Sequence, residues 1–341
     1  MTLLNPFNLA VLKGGAGGAL IQGLLQQPPG HHGPLLFKTG PAALSVRAGT
    51  LLGVGGRLVS FAVDTPVAMP ALVAGSDYAV WVSAEGVATA SSNFVAAPGA
   101  GDWRRLGGFH CAPGGNAPAQ AGGDSTPSIN EYSIWDLKWR PACRDPRGMT
   151  LVAGNFWADI YLLGVNHTVG GTSVFGATIA DGSAPPKVPP NFGGDGAVAY
   201  PNCNWWVASE VMAAHGKRLP NYAEFAALAF GTTEATPVTW ATDPVTTKLD
   251  AAHTSRWGVM QASGNMWCWG RDQGGGQQAA SWAANTGGRG STYLLPNAVL
   301  FGCYWSSGSD CGSRASYWSY SPAFSGNGVG ARGVCDHLDL A

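Results

Sequence analysis

Helices cannot run far in this chain, because glycine and proline interrupt it almost everywhere. Fifty glycines and 23 prolines stand among 341 residues, and the glycine share is about twice the usual ~7%. Each glycine loosens a helix and each proline removes a backbone donor, so the composition favours many short strands joined by turns. Only 11% of residues are charged and the net charge is −1. No basic stripe is offered to a phosphate backbone, which argues against a nucleic-acid partner. No run of 18 apolar residues occurs, so no membrane span is expected. The opening MTLLNPFNLAVLKGG lacks a basic stretch before its apolar part, so no secretory signal is expected.

Three modules are legible. Residues 1–40 form a Gly/Pro-rich leader with a Gly14–Gly18 cluster and paired His31 and His32. The cluster lacks the Lys-Ser/Thr of a phosphate loop, and the leader reads as an attachment or oligomerisation piece. Residues 41–128 read as a small antiparallel β-sandwich. Leu51–Val54 and Arg57–Phe61 flank Gly55-Gly56, a two-residue hairpin signal. Tyr78–Val82 returns through Glu85-Gly86 into Val87–Thr89. Residues 112–128 read as a linker ending this module.

Residues 129–341 form the largest module, with an α+β pattern. Strands are expected at 150–153, 156–163, 257–261, 266–269, 299–305 and 332–337. One helix is expected from about Trp205 to His215, with Val207, Val211 and Met212 on one side. A second starts at Asn221, with Glu224 three positions on as a capping box and Phe225, Leu228 and Ala229 on its buried face.

The seven cysteines are odd in number and no two form a CxxC pair. Neither a disulfide framework nor a zinc site is implied, and scattered free thiols are expected. His167 and His215 read as turn or helix-end residues. Arg332, Asp336 and His337 read as structural hydrogen-bonding groups at the last strand.

Residues 301–341 are the distinctive part. They are dominated by Tyr, Ser, Gly, Asp, Asn, Ala and Cys, punctuated by Trp305 and Trp318. Such a mix resembles an antibody-like binding surface, where Tyr supplies rigid contact area and Ser, Gly and Asn supply adaptable hydrogen bonds. This points to binding rather than catalysis.

Several longer strings then become informative together: DPRGMTLVAG at 145–154, FWADIYLLGVNH at 156–167, GKRLPNY at 216–222, FGTTE at 230–234, GGRGS at 287–291 and GARGVCDH at 330–337. Through them the chain resembles, over roughly residues 41–341, the tropism-determinant family of phage receptor-binding tail-fibre proteins, whose variable region is rewritten by a diversity-generating retroelement. The first 40 residues do not resemble that family's trimerising N-terminal prism. The resemblance implies a C-terminal C-type lectin fold of the formylglycine-generating-enzyme-like subtype. It also implies a virion tail-fibre or cell-surface location, a protein receptor on a host or target cell, and a trimer. It implies adenine-directed mutagenesis, by which AAC codons become Tyr, Ser, Gly, Asp, Asn, Cys, Phe, Val or Ala codons but never Trp, Lys, Glu, Gln or Met codons. From Phe301 to Ala341 there is no Lys, Glu, Gln or Met.

Carried over without a gap, the family's variable, ligand-binding positions are Tyr304, Ser306, Ser307, Gly308, Asp310, Tyr317, Ser319, Tyr320, Phe324, Gly326, Gly328 and Val329. Tyr304, Tyr317, Tyr320 and Phe324 are the expected anchors, and Trp305 and Trp318 the fixed scaffold. Cys303, Cys311, Ser316 and Asn327 have compatible identities as further variable sites. No catalytic residue and no cofactor are expected, with room left for a structural calcium.

Three other readings follow from the fold that the resemblance implies. A copper-dependent oxidase of the formylglycine-generating type would use Cys303 and Cys311 as thiolates. A calcium-dependent sugar lectin would need an acidic or amide residue before Pro296, where Leu295 stands, and a Trp-Asn-Asp string that is absent. A cellular surface-displayed binding protein on the same scaffold would share the variable face.

Overall fold

The computed structural model describes residues 23–284 and 289–340. The Gly14–Gly18 cluster, Gly287 and Gly288 lie outside them. The chain divides into two compact units. One holds the residues up to Cys111 with Ser133–Arg140 and the chain from Leu338, and the other holds Ala112–Tyr132 and Pro141–His337. It is mostly β, with two helices longer than a single turn among the described residues.

The first unit is built from β1 (Leu25–Gln26), β2 (Leu36–Gly40), β3 (Ala43–Val46), β4 (Leu51–Val54), β5 (Arg57–Ser60), β6 (Thr65–Pro66), β7 (Ser76–Ser83), β8 (Ala88–Ser91), β9 (Trp103–Ala112) and β10 (Trp135–Asp136). Its strands pair as β1–β4–β5, as β2–β3–β6, and as β9–β7–β8 with β10 also on β9. Residues 25–26 and 36–40 of the expected leader are thus strands of these sheets, and β2 turns directly into β3 across residue 40.

The β4–β5 hairpin forms where the Gly-Gly signal placed it. Val54 faces Arg57, and Gly55 and Gly56 have φ of 56° and 78°. Two successive positive φ values match the right-handed twist of the strands, and glycine adopts them without a Cβ penalty. A Cβ at Gly55 would also sit 2.2 Å from the Asp102 carboxylate. Gly55→Ala should therefore lower the stability of this unit by about 1–3 kcal/mol, read as a shift in a denaturant midpoint.

The second unit contains β11 (Met149–Val152), β12 (Phe156–Asp159), α1 (Trp205–Ala214), α2 (Tyr222–Leu228), β13 (Trp267–Gln277), β14 (Trp282–Ala284), β15 (Ser291–Tyr293), β16 (Pro296–Phe301), β17 (Ser316–Tyr320), β18 (Val329–Gly330) and β19 (Val334–Asp339). β19, β12 and β11 lie side by side, β14 pairs β15, and a four-stranded sheet runs β17–β16–β13–β18. Both helices stand where the 3.6-residue spacing put them. The Asn204 side chain caps α1 by accepting from the Val207 N–H at 3.1 Å. Asn221 and Glu224 exchange hydrogen bonds of 2.8 and 2.9 Å in a complete capping box.

The central sheet is buried on both faces, and alternation along β16 decides which residue meets which helix. Ala298 and Leu300 join Val207, Val211 and Met212 of α1 in one core. Val299 and Phe301 join Phe225 and Leu228 of α2 in another. β13 divides the same way, with Trp269 in the first core and Cys268 in the second.

Three expectations need correction. Residues 112–128 are not a linker but part of the second unit, where Ala117 is buried and its N–H donates to the Ser255 carbonyl at 3.1 Å. The expected strands at 257–261 and 160–163 are irregular. Their carbonyls are turned toward the Arg332 side chain, which takes hydrogen bonds to Asp159, Ile160, Met260 and Gln261. Cys303 and Cys311 are disulfide-bonded, whereas Cys111, Cys143, Cys203, Cys268 and Cys335 are free and buried.

His167 and His215 meet across 2.9 Å, and the other His167 nitrogen faces the Lys187 carbonyl at 2.8 Å. A carbonyl only accepts, so His167 carries its proton on Nε2 and its bare Nδ1 accepts from His215. Burial, and then the neighbouring His167, lowers the His215 pKa to about 4; burial lowers that of His167 too. The folded state therefore binds fewer protons than the unfolded chain below pH ~6.5, so this stability is full above that value and is lost as pH falls toward 4. Between pH 7 and 4.5 the native chain should lose about 1–2 kcal/mol more stability than His215→Gln, after allowance for solvent screening. Equal losses in paired denaturation curves would refute this.

Candidate functional site

The C-terminal face grows from the edge of the central sheet. β17 pairs with β16 through Leu300↔Tyr317 and Ala298↔Tyr320. Period-two alternation turns Tyr317 and Ser319 outward while Trp318 turns toward the core. Trp318 packs against the α2 core, its indole donates to the Ser316 hydroxyl at 3.0 Å, and Gly275 leaves room for it. Asn297 fixes the same residue by donating to its carbonyl at 3.3 Å. Trp305 packs against the Leu162, Ile179 and Met266 cluster, within 5.2 Å of the Tyr304 ring. Both tryptophans are scaffold.

The disulfide closes a separation of eight residues between Cys303 and Cys311, with Cα atoms 5.2 Å apart. The loop that it pins carries Tyr304, Ser306, Ser307, Gly308 and Asp310. The Ser307 hydroxyl accepts from the Tyr304 N–H at 3.3 Å, and Gly308–Asp310 form a single 3₁₀ turn. β18 enters beside β13 in parallel, with Trp267 opposite Val329.

These elements enclose an open cleft of about 690 Å³. It is lined by Trp267, Tyr304, Ser306, Ser307, Asp310, Arg314, Ala315, Ser316, Tyr317 and Tyr320. Six of the ten are variable positions carried over from the family, Tyr304, Ser306, Ser307, Asp310, Tyr317 and Tyr320, and Ser316 is one of the further compatible sites. Aromatic contacts bind its wall together: Trp267 lies 6.0 Å from Tyr317, Tyr317 5.1 Å from Tyr320, and Tyr320 4.1 Å from Phe324, measured between ring centres. Gly308 and Ser319 are exposed nearby in the chain, and Gly326 is half-buried against the Phe324 ring.

Two expected contact positions are buried. Val329 is only 3% exposed and belongs to the α1 core. Gly328 is buried under Tyr304, whose ring would be 2.7 Å from a Cβ there. Strand pairing with Trp267 buries both, so a change at either would act by moving Tyr304 or the sheet. Phe324 is an anchor only in part, because it packs against the same core.

Trp267, Arg314 and Ala315 were missed. Arg314 and Ala315 have ordinary identities, and Trp267 lies far upstream, brought in by the pairing of β13 with β16 and β18. Trp240 was also missed. It is 60% exposed and stands 5.1 Å from Trp305. Chemically the face offers rings, hydroxyls, one carboxylate and one guanidinium. Such a set recognises by shape and hydrogen bonding. The sulfurs of Cys303 and Cys311, the donors of the copper reading, are bonded to each other in this structure.

The likeness to known proteins is extensive. A family model described as the Mtd second domain matches residues 34–136. A tail fiber receptor-binding protein of Bordetella phage BPP-1 is 56% identical over 313 residues, which span 89% of this chain and 82% of that protein. Solved structures of the Major Tropism Determinant P3c and I1 variants each give a TM-score of 0.92 at 53% identity, covering 95% of this chain and 88% of theirs. The 5% of the chain outside that match is less than half of the first forty residues, so the likeness extends into the segment read as a leader. With such identity sustained over most of both chains, this chain belongs to the major tropism determinant family of phage tail-fibre proteins.

Proposed function

We propose that this chain is the receptor-binding tip of a phage tail fibre and that its variable face selects a protein on the host cell surface. The observation that carries this reading is the gathering of Tyr304, Ser306, Ser307, Asp310, Tyr317 and Tyr320 around one cleft, although they come from a loop and a strand. A rigid sheet and a closed loop support side chains of types that adenine-directed mutagenesis supplies, so partners can change while the scaffold is kept. The second unit takes the C-type lectin fold of the formylglycine-generating-enzyme-like subtype, without that subtype's chemistry. The first unit, which ends at Cys111 rather than at residue 128 and takes in strands from Leu25 onward, is a sandwich domain; the residues ahead of Leu25 attach the protein or hold its copies together, and the working form is a trimer. Several linked copies make weak single sites sufficient, since linkage can add about 10²–10⁴ in avidity.

The test is an exchange of specificity. A phage carrying this chain with those six residues replaced by those of a sister copy should adsorb to the sister's host and lose its own. An unchanged host range would sink the reading. The retroelement is tested separately by sequencing around the gene: a near-copy repeat should differ from residues 301–341 mainly at adenines, next to a reverse transcriptase.

A further inference from the structure

A second cleft, of about 600 Å³, shares Arg314 with the first. Its apolar lining is Phe230, Trp257, Ala226 and Ala227. Phe230 follows the end of α2 and is 42% exposed. The Trp257 indole donates to the Ala227 carbonyl at 2.9 Å and meets the Tyr132 ring edge-on at 5.0 Å, so its orientation is fixed. None of these residues is among the positions expected to vary.

The charges are unequal in their freedom. Glu234 lines the cleft, but its carboxylate accepts from the Ser313 N–H at 2.9 Å and the Ser313 hydroxyl at 2.6 Å. Arg314 is exposed, and its guanidinium has no ion-pair partner among the described residues. Asp310 shares the first cleft with Arg314 without pairing to it. A free planar fork beside two aromatic rings suits a carboxylate adjoining an apolar ring, because the fork donates two parallel hydrogen bonds to the carboxylate while the rings bury the apolar part.

We propose that this cleft is a fixed subsite for the same protein partner, taking a segment in which an aromatic residue adjoins an acidic one, with the carboxylate on Arg314 and the ring against Phe230 and Trp257. The proposal rests on the receptor-binding reading and names a part of the contact that variation leaves alone. The variable face then sets which partner is held, while the fixed subsite supplies affinity common to all variants. Continuity through Arg314 lets one partner segment pass from one cleft to the other.

The full-length chain is titrated with N-acetyl-Phe-Asp-amide and, as control, N-acetyl-Phe-Asn-amide, followed by tryptophan fluorescence and amide chemical shifts. The acidic peptide should bind with a dissociation constant of about 1 mM, and the neutral one at least ~10-fold more weakly. Arg314→Gln should erase that preference. Ala226→Trp, which fills the cleft, should abolish binding. No saturable binding, equal binding of the two peptides, or binding that survives Ala226→Trp in a chain with a native unfolding midpoint would overturn the proposal. So would phenylacetate binding as tightly as the peptide, which would make the cleft a small-molecule site. Failure of the receptor reading shows elsewhere, as a host range unmoved by exchange of the variable residues, and leaves the titration intact.

Discussion

Arg332→Leu should cost the second unit about 3–5 kcal/mol and leave much of it unfolded at 37 °C. The guanidinium is 1% exposed and donates to four carbonyls: Asp159, Ile160 and Met260 at 2.7 Å each, and Gln261 at 3.3 Å. Burial lowers its pKa to about 10, still well above neutrality, so the charge is retained and shared among those oxygens. Leucine fills part of the volume but removes a donor from four buried carbonyls, of which that of Ile160 still accepts from the Met260 N–H at 2.9 Å. Lysine restores charge but has no planar fork to span two pairs of carbonyls, so Arg332→Lys should recover less than half of the loss. Chemical denaturation followed by near-ultraviolet circular dichroism reads this directly. An Arg332→Leu midpoint equal to that of the native chain would show that the segments after β12 and around Met260 hold their shape without the guanidinium.

The double change Tyr317→Ser with Tyr320→Ser should lower adsorption to the host by about 10²–10³-fold while changing stability by less than ~2 kcal/mol. Tyr317 is 45% exposed and its ring stands between Trp267 and Tyr320, at the wall of the cleft. Aromatic side chains at the centre of an interface carry a disproportionate share of its affinity, whereas exposed serines at the rim carry little. Ser306→Ala is the matched control and should move adsorption no more than about twofold. Equal effects from the two replacements would mean that the rings are scaffold and that the contact lies elsewhere. Tyr320 is the informative half of the pair, because it also packs against the α1 core. Its separate replacement should show a stability cost that Tyr317→Ser does not.

Much of the scaffold was legible locally. The Gly55-Gly56 turn, the Asn221–Glu224 capping box and the two helix faces each depend on residues within one or two turns of one another. Local steric and hydrogen-bonding rules were therefore sufficient. Arg332, Asp336 and His337 were also read correctly as structural: Asp336 pairs with Arg218 at 3.0 Å, and His337 accepts from the Trp157 indole at 3.0 Å. The misplaced strand at 257–261 shows the limit. Its apolar residues suit a strand, but its carbonyls answer to a guanidinium more than seventy residues away in sequence.

The binding face divides along the same line. Residue types pointed to 301–341 as a stretch suited to contact, and the family resemblance implied two fixed tryptophans beside a set of variable small and aromatic positions. They could not say that Val329 turns inward, that Cys303 and Cys311 close the loop, or that Trp267 and Arg314 join the wall. Those outcomes depend on which distant strands pair and in what register. A residue's own sequence neighbourhood sets whether it favours a strand, a turn or a helix. Only the pairing of β13 with β16 and β18, and the packing of α1 and α2 on that sheet, set which side of it meets solvent. Local sequence thus sets the elements and the chemistry available at each position, whereas strand pairing and helix packing set which of those groups share one surface.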